Sequence, residues 1–349
     1  MTEDTTRITE RGDSMRIIRW GLIGAGGLLP RWMNGAKQVD GIEIAAIASR
    51  TRETAQRRSS EYSIPDAMTY DEILARRDLD VLYILTPHTA HKDLAIRAME
   101  AGFPVVVEKP AAVTASDWDE MTACARRNGV FLMEAVWTCC FPLTLRTLEI
   151  IRSGRIGRVR NLQTTFAFRN PDDYVGRLYD PMLAGGALLD VGVYCLHYAR
   201  MILGEDPVET TALASVDTDG LHLKVDEQIA VVSRYSDGAL AVSNAAIRTE
   251  MPDTAVIYGT EGSICVPVFW KPELLEIKCA DGCEIIEDPV PQRVPGVRDE
   301  GYRYEILHVN ECLRKGLRES PLVPHEATAS VLRQCDLIRD RCGLRFPFE

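Results

Sequence analysis

The sequence predicts an α/β fold in two parts, a parallel sheet with crossover helices followed by one large, mainly antiparallel sheet. Three observations predict it. Apolar strand-like runs alternate with amphipathic helical runs up to about Val136, the pattern of parallel strands with crossover helices. Beyond that point the strict alternation stops, and strand-like segments follow one another across turn residues such as Ser236-Asp237-Gly238. The chain has 349 residues, 46% hydrophobic and 26% charged, enough for two packed units at roughly 100–200 residues each. The start, MTEDTTRITERGDS, has no apolar core and reads as a disordered tail over residues 1–14. The first domain then covers 15–137 and the second 138–349.

The elements follow in order. IIRWGLIG (Ile17 to Gly24) is near-continuously apolar, as a strand covered on both faces should be. AGGLLPRWMNGAKQ reads as a turn entering a helix, IEIAAIAS as the second strand and RETAQRRSSEY as a charged helix. VLYILTP is a third strand, and HKDLAIRAMEAG an amphipathic helix that stops on glycine. PVVVEK, SDWDEMTACARRNG and VFLMEAV complete the alternation as strand, helix and strand. In the second part PLTLRTLEIIRSG is a helix and Arg158 to Arg169 a long strand. VETTALASVD, EQIAVVSRYS, ALAVSNAAIR and TAVIYGTEGSICVP are further strands. Gly185 to Gly204 is a helix, and two more, near Glu305 to Lys315 and Ala327 to Arg341, close the chain.

The first turn, Gly24-Ala25-Gly26-Gly27-Leu28-Leu29, carries the G-x-G-x-x part of a dinucleotide fingerprint between a strand and a helix. Gly24 permits the tight turn, and Gly26 lets a pyrophosphate approach the helix start. This makes the first domain a Rossmann-type dinucleotide-binding domain, with Gly24, Gly26, Gly27 and Leu28 as cofactor residues. The third fingerprint position, usually Gly or Ala, is Leu29. At the end of the second strand, where NAD sites place a carboxylate, the chain reads Ala48-Ser49-Arg50-Thr51. A guanidinium beside hydroxyls favours a 2′-phosphate, so Ser49 and Arg50 point to NADP, with NAD as the alternative.

The net charge of −11 does not resemble a nucleic-acid binder. No run approaches the ~20 apolar residues of a membrane helix. The ten cysteines show no CxxC pair or Cys/His metal spacing, so no metal is expected, and they read as reduced thiols of a cytoplasmic protein.

One stretch asks for chemistry. VVVEKPAA runs an apolar strand straight into Glu108, Lys109 and Pro110 at a carboxyl end, where ligands of parallel sheets sit. TPHTAHKDLAIRAMEAGFPVVVEKP resembles the Thr-Pro loop, histidine-led helix and Glu-Lys-Pro strand end of the Gfo/Idh/MocA oxidoreductases. MEAVWTCCFP, GGALLDVGVYCLHYARMILG, GTEGSICVPVFW and GLRFPFE are closest to that family's dihydrodiol and D-xylose dehydrogenase branch. The resemblance implies an NADP-dependent oxidoreductase acting on a secondary alcohol, hemiacetal or carbonyl of a sugar or cyclic diol. It implies Lys109 beside the nicotinamide, with Thr86, Pro87, His91 and Glu108 around the cofactor and Glu108 more structural than chemical. It also implies an α/β second domain whose open sheet face forms a homodimer or higher assembly.

Asp190 and Tyr194 are four residues apart and share a helix face, with His197 three further on. The resemblance makes Tyr194 the acid/base; Lys109 is expected to lower its pKa, and Asp190 to orient the pair. Trp137, Phe168, His197 and Trp270 are candidate substrate residues, with Phe141, Phe166 and Phe269 as further pocket aromatics; for His197 the packing role is favoured. Cys139-Cys140 stands where relatives usually have Arg-Phe, which bears on substrate identity. The rivals are an NAD-dependent inositol or polyol dehydrogenase and a non-catalytic dinucleotide-sensing regulator.

Overall fold

In the computed structural model, residues 16–170, 176–216, 224–288 and 301–349 are described. The first sheet is parallel, in the order β3-β2-β1-β4-β5-β6. Its strands are β1 (Ile18–Ile23), β2 (Ile42–Ala48), β3 (Asp66–Met68), β4 (Val81–Ile84), β5 (Val105–Glu108) and β6 (Leu132–Ala135). The central strands are apolar because both faces are covered; β4, β5 and β6 are buried throughout. The crossover helices are α1 (Leu29–Ala36), α2 (Arg52–Tyr62), α3 (Tyr70–Leu74), α4 (His91–Glu100) and α5 (Ala115–Asn128). The strand order reverses between β1 and β4, which opens a crevice at their carboxyl ends.

After α6 (Pro142–Arg152) the second sheet begins with β7 (Val159–Ala167). Helix α7 (Val193–Leu203) precedes β8 (Glu209–Val216), β9 (Asp226–Arg234), β10 (Leu240–Ala246), β11 (Ala255–Gly259), β12 (Gly262–Val266), β13 (Leu274–Cys279) and β14 (Gly282–Glu287). The order is β14-β13-β12-β11-β7-β10-β9-β8, antiparallel except where β10 runs parallel to β7. The stretch expected as one strand over Thr254 to Pro267 is a hairpin, β11–β12. At the end of β11, Gly259 passes close against the chain at Ile156: a Cβ there would stand 1.9 Å from the Ile156 carbonyl oxygen.

β9 alternates buried and exposed residues along its length. Its inner face packs against the stretch Leu188–Gly192 that leads into α7, α7 itself covers β7 and β10, and the outer face is open. Helices α8 (Tyr302–Arg314) and α9 (His325–Cys342) return toward the first domain, although α9 also packs on β8 of the second sheet. α8 packs on α1, and α9 packs on both α5 and α7. Trp20 of β1 donates to Asn310 Oδ1 of α8 at 3.2 Å, inside a cluster with Trp32 and Tyr83. The segment Pro181–Leu203 is long and apolar enough to cross a membrane by composition, but 89% of its most apolar stretch is buried inside the molecule.

Candidate active site

A cleft of about 630 Å³ lies where the carboxyl ends of β1, β4 and β5 face the second sheet. Its floor is the β1–α1 turn. Gly24 has φ +121°, and a Cβ there would stand 2.8 Å from the Leu85 carbonyl carbon and oxygen, so no side chain fits. Gly26 and Gly27 differ: both are exposed, and nothing lies within 4 Å of where a Cβ would stand. Their backbone is bare toward the cleft. Helix α1 begins after the cap residue Leu28, with no capping side chain and no acidic residue in its first turn. Within that turn the Leu29 and Arg31 N–H groups bond to the Gly26 and Leu28 carbonyls and Pro30 has no N–H, so an anion would meet the exposed Gly26–Gly27 backbone and the positive end of the helix dipole. Across the turn, Thr86 Oγ1 is buried without a hydrogen-bond partner. This backbone cradle, uncapped helix and orphan hydroxyl fit a dinucleotide pyrophosphate and its attached riboses.

Ser49 and Arg50 stand at the end of β2, Ser49 buried and Arg50 exposed, outside the lining of this cleft. Thr51 is spent on the next helix, accepting the Thr54 N–H at 3.4 Å as the cap of α2.

The reactive end gathers Lys109, Asp190 and Tyr194. The Lys109–Pro110 peptide bond is cis. Lys109 Nζ donates to the Asp190 carbonyl oxygen at 2.7 Å and lies 3.4 Å from its Oδ1. Asp190 sits in a wide, π-type stretch, Leu188–Gly192, that leads into α7. Such turns distort the regular ladder and are frequent at functional sites. Arg177 Nη2 also donates to Asp190 Oδ1, at 2.7 Å. Burial works against the Asp190 carboxylate, but Lys109 and Arg177 outweigh it and hold its pKa well below the ordinary range.

Tyr194 faces the same space, with its ring 5.2 Å from Phe166. Its expected tuning is not what the geometry gives. Lys109 Nζ sits 5.0 Å from the centroid of the Tyr194 ring, a cation–π arrangement. Burial, then Glu108 and Asp190, push the phenol well above its usual value, and the pull of Arg31 and Trp137 the other way does not offset them. The phenol is therefore an acid that keeps its proton at neutral pH, not one lowered by lysine.

Glu108 lines the cleft and is also anchored beneath it. Tyr83 Oη lies 2.8 Å from both Glu108 Oε1 and Glu305 Oε1. One phenol hydrogen serves one of these contacts, so a carboxyl proton must serve the other. Burial pushes both carboxyls up, Glu305 further because Glu108 adds to it while Lys109 opposes the shift at Glu108.

The structure separates the remaining candidates. Leu28, Thr86, Pro87, Trp137, Phe166, Phe168 and Trp270 line the cleft. Phe166 and Trp270 stack at 4.8 Å, and Trp137 lies 5.8 Å from Trp270. Asp253 accepts the Trp270 indole N–H at 3.0 Å and fixes this wall. Phe141 and Phe269 are in the core instead. His91 is fully buried, with Nδ1 2.9 Å from the Pro110 carbonyl and Nε2 2.8 Å from that of Thr86. It ties the Thr-Pro loop to the Lys-Pro segment and does not face the cleft. His197 also lies outside the lining, with Nε2 3.0 Å from Glu134 Oε2. Cys139 and Cys140 are buried and outside the cleft lining.

The cleft also holds residues that sequence reasoning missed: Arg31, His88, Arg177 and Tyr302. His88 directly follows the Thr-Pro loop and was legible from that position. Arg177 and Tyr302 carry no local signal, because only the fold brings them there.

A dinucleotide cradle joined to a lysine–carboxylate–tyrosine cluster defines a nicotinamide-dependent oxidoreductase. Residues 18–136 match the oxidoreductase family with an NAD-binding Rossmann fold, and residues 144–265 match the GFO/IDH/MocA C-terminal domain. The chain belongs to the Gfo/Idh/MocA oxidoreductase family. It is 32% identical over 337 residues to the trans-1,2-dihydrobenzene-1,2-diol dehydrogenase of Mus musculus, covering 95% of this chain and 98% of that one. Among solved structures it resembles an aldose-aldose oxidoreductase from Caulobacter crescentus complexed with glycerol, at a TM-score of 0.83 and 25% identity over 94% of this chain and 98% of that one. A 3-ketoreductase from Actinomadura kijaniata, in complex with NADP and TDP-benzene, shares the fold at a TM-score of 0.80 and 24% identity, over 93% and 98% of the two chains.

Proposed function

We propose that this protein is an NADP-linked oxidoreductase that interconverts a secondary alcohol or hemiacetal and the corresponding carbonyl on a sugar or cyclic diol. The observation that carries this reading is the meeting of Lys109, Asp190 and Tyr194 in the cleft floored by Gly26 and Gly27. Bound over that floor, the cofactor supplies or accepts hydride at its nicotinamide ring. Tyr194 gives a proton to the substrate oxygen in reduction and takes it back in oxidation. Lys109, anchored by Asp190, holds a positive charge beside the oxygen where negative charge develops. Trp137, Phe166 and Trp270 present flat apolar faces suited to a sugar ring or an arene diol, and they exclude water.

Arg50 at the end of β2, with no carboxylate beside it, supports NADP over NAD. An NAD-dependent polyol dehydrogenase gains nothing from the site: the helix has tyrosine at the acid/base position, and His197 pairs with Glu134. A cytoplasmic setting is proposed from the reduced-thiol reading of the ten cysteines. An assembly of at least two chains is proposed from the open outer face of the second sheet. The test is a panel of aldoses, ketoses and cyclic diols, each assayed by nicotinamide absorbance with NADP(H) and NAD(H). Turnover of sugars or diols with NADP(H) preferred is expected; turnover of neither class overturns the reading.

A further inference from the structure

We infer that Asp226 is a positioning residue, whose carboxylate caps from another part of the chain the start of the helix that carries Asp190 and Tyr194. The inference rests on the proposed catalytic role of that helix. Asp226 opens β9 and is only 5% exposed. Its Oδ2 accepts the Leu188 N–H at 2.6 Å, and the Ala187 N–H also favours its ionised form. Donors at a helix start have no carbonyl partner within the helix. This helix brings no cap of its own: the residue in the cap position is Ala187, whose side chain cannot accept.

The glycine before it is shaped for this contact. Gly186 has φ +117°, and a Cβ there would stand 2.1 Å from Asp226 Oδ1. Glycine is required twice at that position, once by the backbone and once by the carboxylate. The Asp190 N–H in turn donates to the Gly186 carbonyl at 3.2 Å. Asp226 thus fixes the first residues of the π-type stretch from which Asp190 reaches Lys109. Burial pushes the Asp226 carboxyl up to about 7, against the pull of Leu188, Ala187 and Arg339 of α9. An amide, which keeps the acceptor oxygen without the charge, is therefore a fair replacement.

The experiment compares Asp226→Ala, Asp226→Asn and Tyr194→Phe in the full-length protein. It measures kcat and KM for the best substrate of the panel, NADPH affinity by fluorescence, and thermal midpoint. Asp226→Ala should lower kcat by roughly 10- to 100-fold, the scale expected when reacting groups are misplaced by about an ångström. NADPH affinity should stay within about twofold, because the Gly24–Leu28 cradle is untouched, and Asp226→Asn should restore most of the turnover. Should Asp226→Ala not fold, Asp226→Leu, close in shape and without an acceptor, takes its place. Wild-type kcat without the acceptor overturns the inference. So does a loss of kcat that tracks the thermal midpoint and NADPH affinity without rescue by Asn. If Tyr194→Phe turns over normally, the catalytic reading of the helix fails; if only Tyr194→Phe is impaired, the inference about Asp226 fails.

Discussion

At Tyr194, burial and two neighbouring carboxylates act in one direction, so the phenol keeps its proton well above neutral pH. The sign of the pH dependence follows. Carbonyl reduction uses the protonated phenol and should hold its rate across neutral pH. Alcohol oxidation needs the phenolate, so its rate should climb with pH and not level off below about pH 10. A steady-state profile in which oxidation reaches a plateau near neutrality contradicts this. Lys109→Met should cut turnover in both directions while the oxidation rate still climbs with pH, because burial rather than the ammonium sets the direction of the phenol's shift. Cofactor choice sits on another residue. Arg50→Ala should raise KM for NADPH roughly 10- to 150-fold, the worth of one charge-assisted contact, and leave KM for NADH nearly unchanged. Equal KM changes for the two would remove Arg50 from the 2′-phosphate. Lys109 and Tyr194 were legible because they lie in recognisable local strings. The direction of the phenol's shift was not, since it depends on Glu108, Asp190 and the burial that three separate elements create.

The β1–α1 turn shows what an element-level pattern hides. Gly24 and Gly26 look equivalent in the fingerprint, yet only Gly24 is locked by its neighbours. Gly24→Ala should lower stability by about 1–3 kcal/mol through its left-handed backbone alone, with the Leu85 clash adding to it. Gly26→Ala should leave the thermal midpoint nearly unchanged and weaken NADPH binding, because its methyl enters the space kept for the pyrophosphate. Thermal melts and fluorescence titrations of the two variants check this; equal destabilisation would contradict it. The alternation in the first domain was readable because its strands are apolar runs between amphipathic helices. β3 escaped because it has three half-buried residues and no pattern to detect. β13 and β14 escaped because they form the sheet's far edge, where β14 is mostly exposed and its sequence carries charge. The helix start at Asp190 read as regular, since nothing local announces a cap donated by Asp226.

At the scale of the whole molecule, the two sheets meet at the cleft, while α9 ties them by packing on α5 of the first domain and on α7 and β8 of the second, and α8 returns to α1. Contacts between elements so far apart in sequence could not be read from local periodicity. One row crosses the outer face of the second sheet through the paired residues Thr211, Val232, Val242, Gln163, Val256, Cys265, Glu276 and Ile285. Val232 is 39% and Ile285 62% exposed, with Leu213 at 82% on the same sheet. Apolar side chains along an open face favour association. Light scattering should give at least twice the 38.9 kDa chain mass, and a monomer at micromolar concentration would contradict the assembly. The chemistry of the cleft turns on its proton donor, and turnover of Tyr194→Phe beside its NADPH affinity tests that most directly. A fall of about 10²–10⁴-fold in turnover with NADPH affinity unchanged is the predicted result. Near-normal turnover in that variant would contradict it.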